Sequence, residues 1–387
     1  MPATMSDDPR GATNPLFNRN KLKLGVFAFN GTGAYMTKIP EQFDPTWANT
    51  LEVSQQADRA GWEALVPYAR WRAFVEPGHR SGTVFDCYTW ASAVAALTNY
   101  SCVLSTVHVP VIHPIVGAKM GTTIDHVSNG RFGLNIVCGW FSEEIKMFGG
   151  VPLGHADRYA YADEWIAAMK RLWSDPDAFD FEGKYIRIVS GMAQPKPLQK
   201  PYPALMNAGG STAGRHFVAK HCDMAFIPAI TDDESYIREQ VKAYRKLAWD
   251  EHHREIEVWS AVYAVHRDTY EEAEKFVDYY AEEHGDDAYA DYFLAEQLTN
   301  AQTIPPEMLK RMRRSFKAGY SGIGLLGPGE RIANQLVRLS ACGLDGILLV
   351  WVDFQEGIRR FNREVLPLLE QAGLREPFRG NHESPGD

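Results

Sequence analysis

Residues 101–137 read SCVLSTVHVPVIHPIVGAKMGTTIDHVSNGRFGLNIV, and this stretch sets the reading of the whole chain. Ser101–Val107 and Phe132–Val137 are short runs of β-branched and apolar residues, the length and composition of buried strands. Between them Pro114–Val127 is spaced for a helix, with Pro114 in the first turn, where a missing N–H costs nothing. Two strands joined through a helix form a βαβ unit, and such a crossover implies parallel pairing.

Outward from this unit the alternation repeats. Further strands are predicted over Lys23–Phe29, Trp62–Val66, Ala204–Asn207, Met224–Ile227, Val258–Val265 and Gly346–Val350. Helices are predicted over Thr46–Ala60, Phe85–Leu97, His155–Trp173, Ser211–His221, Glu234–Trp249, Tyr270–Glu283, Gly329–Ser340 and Phe354–Leu369. Phe179–Val189 reads as a hairpin set apart from this pattern. Eight strands, each followed by a helix, predict an α/β fold, a (β/α)8 TIM barrel with insertion segments. The expected organisation is a flexible N-terminal arm over 1–20, one barrel over 21–372, and a polar tail over 373–387. Insertions are expected at about 179–203 and 284–320, the second being a candidate lid.

Composition narrows the function. Among 387 residues, 40 Lys and Arg stand against 49 Asp and Glu, a net charge of −9, which argues against a nucleic-acid partner. Five widely spaced cysteines without a C-x-x-C pair suit reduced thiols and a cytoplasmic setting rather than a disulfide framework or zinc site. No apolar run approaches the ~18 residues of a membrane span, and the start lacks the pattern of a secretory signal. The G-x-G-x-x-G match at 322–327 follows the charged stretch RRMRRSFKAGY and lies outside any first βαβ unit, so a dinucleotide loop is not expected there. Gly209-Gly210-Ser211-Thr212-Ala213 is a near miss to a nucleophile elbow, but the only histidine after the late acids Asp345 and Asp353 is His382, in the tail. His108 and His113, like His216 and His221, are five apart rather than the four that a helical metal pair needs, so no metal site is expected.

A barrel of this kind keeps its active site at the C-terminal ends of its strands. The residues there are Phe29-Asn30-Gly31, Pro67-Tyr68-Ala69-Arg70, Thr106-Val107-His108, Asn135 through Trp140, Ala208-Gly209-Gly210-Ser211, and Trp351. They are aromatic, amide and hydroxyl groups, with no carboxylate pair, so the difficult chemistry is expected from a cofactor. Gly209 and Gly210 let backbone N–H groups approach an anion as Ser211 opens a helix, and Arg158 and Tyr159 can add to that cradle. One phosphate cradle beside an aromatic pocket suggests a mononucleotide such as FMN. Phe29, His108, Trp140 and Trp351 are the candidate substrate-pocket walls, with Tyr68 beside them. Arg70 and Arg72 read as surface arginines, with an anion-holding role as the alternative.

The stretch Ile124-Asp125-His126-Val127-Ser128-Asn129-Gly130-Arg131-Phe132-Gly133-Leu134-Asn135-Ile136-Val137-Cys138-Gly139-Trp140 resembles the T-x-D-x-x-S-x-G-R-x-x-x-N-x-V-x-G-W signature of the bacterial-luciferase-like flavin-dependent monooxygenase family, which includes pyrimidine, dimethylsulfone and alkanesulfonate oxygenases. Pro195-Lys196-Pro197-Leu198-Gln199 and Ala208-Gly209-Gly210-Ser211 follow in the family order, and the likeness runs over about 22–372. It implies a two-component enzyme. A separate NAD(P)H-dependent flavin reductase supplies reduced FMN (FMNH2), and O2 is the co-substrate that oxygenates a heterocycle, sulfone or sulfonate and cleaves a bond in it. By resemblance the flavin contacts fall on Tyr68, Ala69, Asn135, Glu144, Arg158, Tyr159 and Ser211. Tyr68-Ala69 replaces an Ile and Lys site, so a side-chain contact there is not carried over. Thr106 and Asn135 match the pair that holds O2 beside flavin N5, which favours a flavin-N5-peroxide over the C4a type. The likeness further implies a homodimer or homotetramer. Competing expectations are an F420-dependent oxidoreductase of the same superfamily and a flavin-binding protein without chemistry of its own.

Overall fold

Apolar runs without polar alternation belong in strands buried on both faces. A computed structural model describes residues 8–32, 34–227, 231–298, 306–320 and 322–380. In it the predicted runs become β1 (Lys23–Phe27), β2 (Ala64–Val66), β3 (Cys102–His108) and β4 (Phe132–Val137). An outlying antiparallel hairpin follows, β5 (Phe179–Glu182) and β6 (Arg187–Gly191), and then β7 (Ala204–Asn207), β8 (Met224–Ile227), β9 (Glu257–His266), β10 (Ile323–Gly327) and β11 (Gly346–Val350). Parallel pairing runs β1–β2–β3–β4–β7–β8–β9–β11 and returns to β1, so eight strands close the predicted (β/α)8 barrel. β10 lies outside the ring. Val262 and Tyr263 of β9 pair with β11 on one edge and with β10 on the other, so β10 prolongs the edge that β8 occupies lower down. The G-x-G-x-x-G run is thus a strand rather than a phosphate loop. Gly346 is required by packing, since the Trp259 indole lies where its Cβ would be.

The helices are α1 (Trp47–Arg59), α2 (Cys87–Ala96), α3 (Pro114–Val127), α4 (Ser142–Met147), α5 (His155–Ser174), α6 (Thr212–His221), α7 (Glu234–His252), α8 (Tyr270–Val277), α9 (Asp287–Leu298), α10 (Pro306–Gly319), α11 (Gly329–Ala341), α12 (Phe354–Glu364) and α13 (Leu366–Gln371). α3 has the predicted bounds, with Pro114 at its start and the His113 side chain accepting from the Ile115 N–H. None of the helices among the described residues is long and apolar enough to cross a membrane.

The predicted flexible arm is packed over 8–20, while 1–7 lie outside the described residues. Arg10 sits buried between Asp8 and Asp223, 3.0 Å from the latter. The Asn14 amide donates to Gln199 Oε1 at 2.9 Å, and Leu16 and Phe17 are buried. A polar sequence with two prolines hid this, because its ion pair and amide bond reach partners some two hundred residues away. Part of the tail is packed too. Leu374 O accepts from the Lys21 and Leu22 N–H groups, and Arg375 meets the fully buried Glu63 at 2.7 Å. His382 lies outside the described residues, as do the other residues of 381–387. The 284–320 insertion is largely the helix pair α9 and α10, with 299–305 not described.

These contacts close the N-terminal end of the barrel. At the other end the loops after β2 and β4 carry Phe74, which packs against Tyr289 and Phe293 of α9, Trp140, which meets Phe293, and Phe141, which meets Tyr292. Phe293 also stacks on Phe316 of α10, so the insertion roofs the barrel mouth.

Candidate active site

The site is built where β2, β3, β4 and β7 end. Thr106 and Asn135 are register partners on β3 and β4, so their side chains meet inside the mouth. Asn135 Nδ2 donates to Thr106 Oγ1 at 3.1 Å, and the Thr106 hydroxyl donates to the Pro67 carbonyl. The hydroxyl proton is therefore engaged, and Thr106 serves chiefly to orient Asn135. Asn135 Oδ1 is buried without a partner among the described residues. A buried amide oxygen left unpaired is costly unless a ligand completes it.

Asn30 clamps the turn after β2. Its amide accepts from the Tyr68 N–H and donates to the Tyr68 carbonyl, both at 3.0 Å. This holds Tyr68 and half-buried Ala69 at the mouth, with the Tyr68 hydroxyl buried and unpaired. Glu144 enters on α4, a short helix that no sequence signal announced. Its Oε1 accepts from the Trp71 N–H at 2.7 Å, its Oε2 lies 2.6 Å from His108 Nδ1, and Arg70 Nη1 stands 3.9 Å away. Burial alone would raise the Glu144 carboxyl. The His108 hydrogen bond, the neighbouring His108 and Arg70 charges and the Trp71 N–H outweigh it and hold the group below its usual range, ionised at neutral pH.

On the β7 side, Ser211 caps α6 by accepting from the Gly214 N–H at 3.1 Å. Gly209 packs against Gly214 and is held by Tyr244, whose hydroxyl donates to its carbonyl at 2.7 Å. Gly210 faces open space, so its backbone is free to meet a ligand. The Tyr159 hydroxyl hydrogen-bonds Ser211, and burial raises its pKa. Arg158 donates to the Gly139 carbonyl at 3.2 Å and keeps a buried Nε without a partner among the described residues. An open groove of about 950 Å3 runs from the cradle between α5 and α6 toward the end of α7, lined by Tyr159, Ser211 and Phe217 and, further along, by Asp163, Glu164 and Glu251. Burial pushes the nearby Cys138 thiol up to about 12, so it is no nucleophile at neutral pH.

The structure thus gathers Tyr68, Ala69, Thr106, His108, Asn135, Trp140 and Glu144 at one side of the mouth, and Arg158, Tyr159, Gly209, Gly210 and Ser211 at the other. It removes two expected pocket walls. Phe29 packs on Trp90 of α2 and Phe354 of α12, and Trp351 packs on Trp62, Phe354 and Phe361. Both rings turn into the layer between barrel and helices. Strand alternation alone would keep Phe29 on the side of Phe27, which meets Phe226 across the barrel interior, but β1 ends at Phe27 and the left-handed Ala28 (φ 62°) redirects the chain between them. Arg70 is corrected in the opposite sense: it is buried. Asn207 was missed. Its Nδ2 donates to the Ile136 carbonyl at 2.5 Å while Oδ1 is buried and unpaired. An amide closing an otherwise apolar strand was the signal available.

Comparison with known proteins places the chain in a family. The chain is 28% identical over 348 residues to an FMNH2-dependent dimethylsulfone monooxygenase of Pseudomonas putida, covering 88% of this chain and 92% of that one. It is 25% identical over 358 residues to the pyrimidine monooxygenase RutA of Acinetobacter baylyi, covering 90% and 95%. Among solved structures, a riboflavin lyase bound to modified FMN and riboflavin superposes with a TM-score of 0.80 at 23% identity, over 94% of each chain, which is likeness of fold. Residues 22–346 match the luciferase-like monooxygenase profile, and the chain belongs to the luciferase-like monooxygenase family.

Proposed function

We propose that the protein is a two-component monooxygenase that receives reduced FMN from a separate NAD(P)H-dependent flavin reductase and uses O2 to oxygenate a small organic substrate. The observation that carries this reading is the open Gly209–Gly210–Ser211 cradle, facing across one barrel mouth the buried Thr106–Asn135 pair whose amide oxygen lacks a partner. The residues present fit FMN. Backbone N–H groups at the start of α6, with Ser211, Tyr159 and Arg158, would hold the phosphate, and the amides of Asn135 and Asn207 with the second lone pair of the Tyr68 carbonyl would meet the polar edge of a flat ring. When bound, FMN supplies the electrons that reduce dioxygen.

The chain's own groups then have distinct tasks. Asn135, oriented by Thr106, holds a free amide N–H and carbonyl where a reacting oxygen can be hydrogen-bonded without meeting a strong acid. Thr106 and Asn135 would hold O2 beside the flavin, and their match to the family's Thr–Asn pair is what favours N5 over C4a chemistry. Glu144 orients His108, whose other ring nitrogen can hold a proton at the substrate. α9 and α10 keep water from the mouth. A homodimer or homotetramer completes the reading.

The test is anaerobic titration with FMNH2, followed by heavy-isotope dioxygen in the presence of dimethyl sulfone, methanesulfonate or uracil. Saturable binding and labelled organic product are expected. No affinity for FMNH2 overturns the proposal.

A further inference from the structure

Arg70 stands out among the buried charged groups because two of its guanidinium nitrogens, Nε and Nη1, have no hydrogen-bond acceptor among the described residues. The residue is 8% exposed, yet its Nε and Nη1 make no hydrogen bond among the described residues. The nearest carboxylate, Glu144, is an ion-pair partner at 3.9 Å, beyond hydrogen-bond distance; its Oε1 accepts from the Trp71 N–H, and its Oε2 lies 2.6 Å from His108 Nδ1. Around the guanidinium stand rings: Phe74 at 3.9 Å, Trp140 at 5.4 Å, Phe141 at 5.5 Å and Tyr68 at 6.0 Å. Ring faces attract a cation but offer no lone pair to N–H groups in the guanidinium plane. Two more buried hydroxyls without partners, Tyr68 and Tyr289, lie within electrostatic range of Arg70. The Nε and Nη1 groups of Arg70 are thus left without a hydrogen-bond acceptor among the described residues.

We propose that Arg70 selects substrates bearing a carboxylate or sulfonate, bound by its planar N–H fork under the aromatic roof of α9. This rests on the reading of the mouth as a site for a small organic substrate. A carboxylate, or two of the three oxygens of a sulfonate, presents a pair of charged acceptors to the fork, which a sulfone or neutral ring does not match in charge. The anion is distinct from a cofactor phosphate. Arg70 follows β2, the phosphate cradle follows β7, and β3 and β4 separate them in the ring. Trp140 and Phe74 beside the guanidinium suit a flat or apolar body attached to the charged group.

The experiment titrates the full-length protein with benzenesulfonate and with methyl phenyl sulfone, near-isosteres that differ in charge, by tryptophan fluorescence. FMN binding is followed in a separate titration. Wild type is expected to bind benzenesulfonate about tenfold more tightly than the sulfone. Arg70→Met should erase that preference and leave the FMN dissociation constant unmoved, while Arg70→Lys, which keeps charge but not the fork, should retain part of it. Equal affinity of wild type for the two probes overturns the proposal, and that comparison needs no variant to fold. Equal loss of FMN and benzenesulfonate binding in Arg70→Met also overturns it, by assigning Arg70 to the flavin. Undiminished benzenesulfonate binding by Arg70→Met reduces Arg70 to a packing residue and overturns it as well. Failure of wild type to bind FMN instead sinks the monooxygenase reading and leaves the charge comparison legible.

Discussion

Asn135 is an amide in an apolar strand, and its value lies in what surrounds it. Leu134 and Ile136 on either side are fully buried, so β4 holds the residue rigidly. Thr106 fixes one amide hydrogen from the neighbouring strand and leaves the carbonyl free. Donors placed in advance at a site of charge development lower a barrier because no reorganisation is needed when the charge appears. Asn135→Ala is therefore expected to lower product formation about 10²–10³-fold, as for loss of one such donor, with oxygen uptake diverted to hydrogen peroxide. Product yield and peroxide release, measured together with a melting curve, check this. Unchanged product would remove Asn135 from the chemistry.

Secondary-structure elements decide which groups see water. α10 is rich in Lys and Arg, yet Phe316 on it and Phe293 on α9 lie stacked over the loops that follow β2 and β4. The charged positions have an outlet: Arg313 pairs with Asp291 at 2.6 Å, and Arg314 with Glu274 and Asp278 at 2.9 and 2.8 Å. The pair of helices is thus held by a small aromatic cluster on its inner side and by solvent-screened ion pairs outside. Phe293→Ala, which removes a ring that is 1% exposed, should weaken this docking by about 3–5 kcal/mol. Hydrogen exchange in α9 and α10 is expected to speed up, with more peroxide leaking per flavin oxidised, while the barrel strands stay protected. Exchange in the variant matching wild type would show that the cluster does not hold the roof.

At the scale of the whole molecule the chain ends are part of the barrel. Glu63, just before β2, accepts from Asn18, Asn20, the Leu24 N–H and Arg375, at 2.9, 2.7, 2.8 and 2.7 Å. One buried carboxylate thus ties residues from both termini to the strand ring. Arg375→Ala strands that charge without its cation, at a cost of about 3–5 kcal/mol, because a buried ion that loses its partner keeps its desolvation penalty. Urea unfolding should show the drop, and a midpoint equal to wild type would mean that the remaining N–H donors suffice.

The same long reach marks the boundary of what could be read in advance. Local signals carried the eight barrel strands, the α3 start at Pro114, the Ser211 cap and the position of the mouth, since each depends on neighbours a few residues away. α4 escaped because one short turn of helix has no periodicity to detect, and Glu144 came only through family likeness. The direction of Phe29 and Trp351 depends on which side of the wall a strand end turns. The burial of Arg70 depends on a loop after β4 and a helix more than two hundred residues along the chain. Periodicity and turn chemistry are local physics, and they determined the barrel and where its chemistry sits. Burial, pairing and the unpaired donors of the pocket are properties of surfaces that only folding brings together, and the tertiary structure alone decided them.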